Sequence, residues 1–270
     1  DPGCWEFSSD PGMTRLAGMY NIGQGGDFET ISDFSYALSF RGINAAVTGN
    51  LVDAAYNEQI AFDRIPGSGQ DRIVTLRSDL ATYPTISYSA QSATANYVLA
   101  LYRSQYMLIE RINFSTESSE ISNIIGINSY AKDITFRWCN FSAPIYSGTY
   151  PNNKCSIAIE DKVTTNIKVV ASVFHGNGIG IYACATDLEI SACSFSNIYN
   201  GIQLSQTQFP YIGDNLFEGI THNAIISNGS ISCNIMRNRV LSSSGGFYIS
   251  NSPSMVQRNL IANNFVQITG

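Results

Sequence analysis

Three consecutive titratable residues, Glu160, Asp161 and Lys162, stand at one turn of the chain, with Lys168 and His175 following on the same stretch. A polysaccharide lyase needs a base to take the proton beside a uronate carboxylate, and usually a calcium ion or an arginine to neutralise that carboxylate. Glu160, Asp161 and Lys162 are the candidates for such roles; Ca2+ enters only under this reading, and no other cofactor or metal is expected. The same triplet also has the composition of a solvated corner. Glycoside hydrolysis by inversion needs two carboxylates close together, one to donate a proton and one to activate water. Asp161, Asp187 and Asp214 are instead spread over different turns. His175 and His222 are the two histidines of the chain and read as turn residues, which leaves little for a nucleophile and base triad.

The elements that hold these residues repeat. Phe174, Phe195, Phe217, Val240 and Ile261 are separated by 21, 22, 23 and 21 positions, and a short polar residue stands two before each: Ser172, Cys193, Asn215, Asn238 and Asn259. A period in the twenties is a solenoid signature. Within one period, Ile179-Gly-Ile-Tyr-Ala and Leu188-Glu-Ile-Ser-Ala-Cys-Ser-Phe195 alternate apolar with polar or small residues, as strands do, and Asn, Gly and Ser clusters separate them. The pattern predicts an all-β fold, a single right-handed parallel β-helix. Asn215, Asn238 and Asn259 are expected to form a structural ladder of stacked amides inside it. Asp214, Arg237 and Arg258 each precede one of these and read as an outward ion-pair column.

Composition sets the surroundings. Charged residues make up 13% of the 270, the formal charge is −6 and lysine occurs only at positions 132, 154, 162 and 168, so nucleic acid is not an expected partner. No apolar run is long enough for membrane insertion, and the start Asp1-Pro-Gly-Cys lacks a signal-peptide core, which reads as the mature form of an exported extracellular or cell-surface protein. Of the six cysteines, Cys139 and Cys193 share a strand position two turns apart, too far for a disulfide. They read as buried thiols, with Cys4 and Cys155 the pair to test. The spacings match no zinc motif.

The first half differs. Ile31, Phe34, Ala37, Leu38 and Phe40 fall largely on one helical face between the capping pair Thr30 and Asp33 and the stop at Gly42. This predicts a short N-terminal capping α-helix, with residues 1–44 as arm and cap and 45–270 as one continuous run of coils. Strand-like segments follow at 45–53, 56–62, 72–78, 85–89 and 97–102. The run Tyr20-Asn-Ile-Gly-Gln-Gly-Gly-Asp-Phe-Glu-Thr-Ile31, the helix and Ala55-Tyr-Asn-Glu-Gln-Ile60 together resemble the opening of pectin-lyase-like β-helix proteins, among them pectin methylesterases and bacterial surface proteins. That resemblance covers roughly residues 18 to 90 in detail. It implies the fold rather than the chemistry, because this scaffold carries lyases, esterases, hydrolases and non-enzymatic adhesins. The esterase motif Gly-x-Val-Asp-Phe-Ile-Phe-Gly is missing, and the one Gln-Asp, Gln70-Asp71, sits in an early turn.

These observations lean away from an enzyme, toward a non-catalytic structural or adhesive surface or filament subunit. Self-association, or docking to a neighbouring surface protein, would use Cys4, Trp5 and Phe7 of the N-terminal arm and Phe265 and Ile268 near the other end. The competing readings are a lyase acting on acidic polysaccharide and a glycan-binding module in which Tyr102, Tyr106, Tyr146, Tyr150, Tyr182 or Tyr199 stacks on sugar rings. Asn113, Asn140 and Asn228 lie in Asn-x-Ser sequons, the first two facing outward.

Overall fold

A computed structural model describes residues 14–118, 122–149, 151, 154–250 and 259–268. From Ile43 onward the described chain winds through three parallel sheets in rotation, so that each full coil contributes one strand to each sheet. The first sheet has ten strands, from Leu16–Ile22 and Ile43–Leu51 to Leu260–Ala262. The second has nine, from Ala55–Asn57 to Phe265–Ile268, and the third eight, from Ile60–Phe62 to Phe247–Ser250. Parallel strands joined by crossovers of one hand give the right-handed parallel β-helix that the repeat predicts.

Apolar side chains of all three sheets meet inside in one continuous core. Phe114, Phe141, Phe174, Phe195 and Phe217 pair in register, and their rings stack with centroids 5.6, 4.7, 4.6 and 4.8 Å apart. Val240 and then Val266 continue this column. Ile261 does not belong to it. It lies in the first sheet beside Ile235, because the last coil is longer than the three before it and a step of 21 lands one sheet too early.

The corner between the first and second sheets repeats a backbone device. Arg111, Trp138, Ala171, Ala192, Asp214, Arg237 and Asn263 all have φ between 48° and 60°. That left-handed region is uncommon for non-glycine residues. Each turns the chain so that the next residue points inward, and two positions later the aromatic column resumes. Glycine is needed where elements approach closely: a Cβ on Gly49 would come within 2.7 Å of both Ile22 and Phe34.

The helix Ile31–Arg41 is capped as its sequence predicts. Thr30 Oγ1 accepts from the Asp33 amide at 3.0 Å, and the Gly42 amide donates to Leu38 O at 3.0 Å. Ile31, Phe34, Ala37 and Leu38 are buried, whereas Phe40 is 47% exposed and stacks on Tyr36 outside the core. Glu58, at the corner between Asn57 and Ile60, adds a second cap: its carboxylate accepts from the amides of Ile31 and Ser32, both at 3.1 Å. The strand Leu16–Ile22 precedes the helix yet pairs in parallel with Ile43–Leu51, so the first sheet begins inside the segment 1–44 expected to be only arm and cap. The strand-like stretch at 56–62 divides likewise, Ala55–Asn57 joining the second sheet and Ile60–Phe62 the third.

Candidate functional site

The lyase candidates do not converge. Asp161 is consumed by its own corner: Oδ1 accepts from the Thr164 amide at 2.8 Å and from Thr164 Oγ1 at 2.6 Å, and Oδ2 accepts from the Ser129 amide. Lys162 donates to Gln206 Oε1. Lys168 pairs with Glu189 at 3.3 Å, and His175 Nδ1 lies 3.0 Å from Ser196 Oγ. Glu160, the remaining member, is exposed and lines a cleft.

Asp214 and Arg237 form the outward pair that the repeat suggests. The guanidinium donates in bidentate fashion through Nε and Nη2, both at 2.7 Å, and Nη2 also donates to Tyr211 Oη at 2.7 Å. Arg237 thereby holds the Asp214 carboxyl below the usual carboxylate range. Arg258 lies outside the described residues, and the register puts Asn263 at the next step of that column.

The interior ladder has a different third rung. Asn238 Oδ1 accepts from the Asn215 amide at 3.1 Å and Asn215 Nδ2 at 3.0 Å, and Asn238 Nδ2 donates to Asn264 Oδ1 at 3.0 Å. Asn259, expected in this ladder, instead accepts from the Cys233 amide at 2.9 Å. Its displacement has the same cause as that of Ile261, the longer last coil. On the outside of the second sheet Asn140 Nδ2 donates to Asn113 Oδ1 at 2.7 Å and Asn113 Nδ2 to Tyr83 O at 2.9 Å, and on the third sheet Asn228 Oδ1 accepts from Ser250 Oγ at 2.8 Å, so all three sequon amides are already engaged.

Cys139, Cys155, Cys184, Cys193 and Cys233 are free thiols, all buried. Burial pushes Cys139, Cys155, Cys193 and Cys233 up to about 12, so they stay protonated. Among the described residues no three His, Cys, Asp or Glu side chains gather where they could hold a metal. Cys4, Trp5 and Phe7 lie outside the described residues; Phe265 and Ile268 are 54% and 53% exposed on the strand Phe265–Ile268.

One concave surface lies over the third sheet and beside the loop that follows Ile145; clefts of about 550 and 590 Å³ also lie over the first sheet beside Tyr106 and over the second sheet beside Tyr88. Register places Ala100, Gly126, Ala158, Tyr182, Gln203, Ile226 and Tyr248 in one column across successive strands. Cys155, Ala158 and Ile179 form a small apolar cluster with Tyr182, separate from the core, which marks the outer face of the sheet. A Cβ added to Gly126 would meet nothing within 4 Å. Over this cluster opens a cleft of about 610 Å³ lined by Asn123, Pro151, Glu160, Tyr182 and Gln203. Glu160 faces into it: its charge is a secondary cause, after burial, of the raised values of the Cys155 thiol and the Tyr102 phenol.

A second cleft, of about 400 Å³, lies on the other side of the same loop and is lined by Ser122, Tyr146, Ser147, Lys154 and Asn177. Its floor is fixed, since Ser122 Oγ donates to Asn177 Oδ1 at 2.9 Å and Asn177 Nδ2 donates to Ser122 O at 2.8 Å, both side chains being buried. Lys154 Nζ stands 5.3 Å from the centroid of Tyr146. From Tyr146 a row of rings runs along the coils: Tyr199, two coils on, meets it edge-on at 5.8 Å, and His222 of the next coil stacks on Tyr199 at 4.9 Å and 7°. Of the tyrosines singled out in the sequence, Tyr146, Tyr182 and Tyr199 share this flank. Tyr106 lies on the first sheet, and Tyr150 is outside the described residues.

Sequence reasoning missed Asn123, Gln203, Ser122, Asn177 and Lys154. The signal was present for one of them: Gln203 follows Tyr182 by 21 positions, one period of the repeat. Asn177 closes the strand Val173–Asn177, and the others stand outside the strands, where no periodicity places them. Clefts of this volume lined by a carboxylate, amides, hydroxyls and rings can hydrogen-bond a polyol and stack on its apolar face.

A family model described as "Periplasmic copper-binding protein (NosD)" matches residues 138–269, just under half of the chain. Among the described residues of that stretch the side chains do not gather to hold copper: the thiols of Cys139, Cys155 and Cys193 are buried at separate positions, and His175 and His222 are held by Ser196 and Asn200. No curated protein matches the sequence. Among solved structures, pectin methylesterase from Aspergillus niger is similar over 90% of this chain and 88% of its own, at 13% identity and a TM-score of 0.56. The tailspike of the E. coli bacteriophage HK620, solved as a mutant with a hexasaccharide, aligns over 85% of this chain and 48% of its own, at 12% identity and a TM-score of 0.45. Likeness at such identities concerns the fold.

Proposed function

We propose that this chain, which has the pectin-lyase-like right-handed parallel β-helix fold, is an exported, non-catalytic glycan-binding protein that serves adhesion at a surface or in the periplasm. The observation that carries the reading is the pair of clefts flanking one loop, with Tyr182 and the row Tyr146, Tyr199 and His222 beside hydrogen-bonding side chains. Rings stacked on sugar faces and amides on hydroxyls recognise a glycan without bond cleavage. Lysis or hydrolysis would need a second acid or base across from Glu160, and the nearby Asp161 and Lys162 are both bound elsewhere. Export agrees with the family description matched by the second half and with the sparse charge of the chain. Contact with another copy or a neighbouring surface protein would run through the exposed Phe265 and Ile268. No helix among the described residues is long and apolar enough to cross a membrane.

An immobilised glycan panel tests the reading. The wild-type chain is expected to retain a limited set of glycans, and Tyr182→Ala to weaken them about tenfold, the size of a lost ring contact. Retention unaffected by Tyr182→Ala, Gln203→Ala and Tyr199→Ala together would place any binding elsewhere and overturn the assignment.

A further inference from the structure

We infer that the cleft of about 550 Å³ over the first sheet is a second sugar site, so that one chain bridges two glycan strands. This rests on the glycan-binding reading above and gives it a mode of action. The cleft opens on the outer face of the strands Gln105–Glu110 and Lys132–Arg137, where Leu108 and Thr135 alternate with the buried Met107, Ile109, Ile134 and Phe136. One rim is the tight turn from Gly69 to Arg72, closed by two backbone bonds at 3.1 and 2.9 Å and by Arg72 Nε donating to Gly67 O at 2.6 Å; Ile73 beside it is 40% exposed. Arg137, also in the lining, is fixed as well: its Nε and Nη2 donate to Glu110 Oε2, and its guanidinium lies 4.4 Å from the centroid of the Trp138 ring.

Polar groups converge in this cleft without holding one another. Asp133 Oδ1 accepts from Asn166 Nδ2 at 2.6 Å, which leaves Oδ2 to accept from a ligand. Among the described residues Tyr106 Oη, Thr135 Oγ1 and the Gln70 side-chain amide have no hydrogen-bond partner. Over the later coils the outward groups of this sheet are tied, Lys168 and Ser191 to Glu189, and Tyr211 to Arg237. A carboxylate, a hydroxyl, a phenol and an amide beside the apolar Ile73 and Leu108 suit a sugar, which offers hydroxyls at its edge and C–H groups on its face. One ring, Tyr106, stands here against Tyr146, Tyr182 and Tyr199 at the clefts over the third sheet, so this second site is weaker by about tenfold. The two sheets bury their inner faces in one core, so their outer faces look in different directions and hold separate glycan strands.

Equilibrium dialysis of the full chain against trisaccharides of N-acetylglucosamine, mannose, galactose and galacturonate, probes too short to reach both faces, counts the sites. The wild type is expected to take up two molecules of a bound trisaccharide per chain, in two phases about tenfold apart. Thr135→Arg fills the first-sheet cleft and should remove the weaker phase alone. Asp133→Asn keeps an acceptor for Asn166 and suits the left-handed backbone at φ 55°, so the fold is retained while the weaker phase should lose about tenfold in affinity. Beads coated with the same trisaccharide should clump with the wild type and stay dispersed with Thr135→Arg. Uptake of one molecule per chain that is weakened by Tyr182→Ala, a weaker phase untouched by both first-sheet variants, or clumping that survives Thr135→Arg overturns the second site alone. No uptake of any trisaccharide by the wild type overturns the glycan-binding reading and this inference with it.

Discussion

Replacing Asn238 by Ala tests whether the coils are locked where the register says. The side chain is fully buried and works in both directions: Oδ1 accepts from the Asn215 amide and Nδ2, while Nδ2 donates to Ile212 O at 3.0 Å, Met236 O at 3.2 Å and Asn264 Oδ1 at 3.0 Å. Truncation leaves the Asn215 amide and Ile212 O without these partners, while Asn215 Nδ2 keeps its bond to Ile190 O. Each buried group so orphaned costs about 1–3 kcal/mol, which puts the loss at about 3–5 kcal/mol. Asn238→Cys, although earlier coils use cysteine in this column, should cost nearly as much, because a thiol is a weak acceptor for the Asn215 amide. Asn259→Ala is the control: its Oδ1 serves the Cys233 amide and the residue is partly exposed, so about 1 kcal/mol is expected. Urea unfolding followed by circular dichroism, with midpoint and slope fitted separately, measures both. Equal losses for the two variants, or a larger one for Asn259→Ala, would refute the register and the long last coil.

Glu58→Ala removes the carboxylate from the helix amides of Ile31 and Ser32 and should cost about 1.5–3 kcal/mol, with hydrogen exchange at those amides accelerating first; unchanged exchange would deny Glu58 the capping role. Cys139, Cys155, Cys193 and Cys233 have thiols raised by burial from 9.0 to about 12, so the folded state binds protons more tightly than the unfolded one. The stability this contributes is complete below pH 9 and falls as pH rises from 9 toward 12, by about 1.4 kcal/mol per unit for each thiol. Iodoacetamide should spare these thiols at pH 8 until urea unfolds the chain, and mass spectrometry of native labelling at any of the four would contradict their burial. Ala192→Gly, at φ 53°, should stabilise by about 0.5–1 kcal/mol, against the usual direction for that substitution; thermal melting that shows destabilisation would deny the strain at this corner.

The fold was legible in the sequence because a coil is a local unit repeated: the spacing of Phe174, Phe195 and Phe217 and the strand alternation between them are set by one turn of chain, and these rings form one stack. The helix was legible for the same reason, with Thr30, Asp33 and Gly42 all within its own span. Phase was harder. Where the coil lengthened after Val240, a fixed step led to Ile261 and Asn259 instead of Val266 and Asn264, because a register is settled by pairing across coils and not by counting. Phe40 shows the same limit on a smaller scale, apolar by type but left outside when the helix turned its other face to the coil. The site was the least legible part. Charged residues stand out in a sequence, yet Asp161 and Lys162 proved to be corner fittings, while the clefts depend on which residues of different coils come to lie together, as Asn123 and Glu160 do with Tyr182.

Equilibrium dialysis of the protein against a retained glycan, followed by mass spectrometry of both compartments, tests binding without cleavage directly. The account predicts saturable uptake, weakened about tenfold by Tyr182→Ala, with every recovered oligosaccharide at its starting mass. Shortened or unsaturated products that accumulate with time and disappear in Glu160→Gln would contradict it and make this cleft an active site.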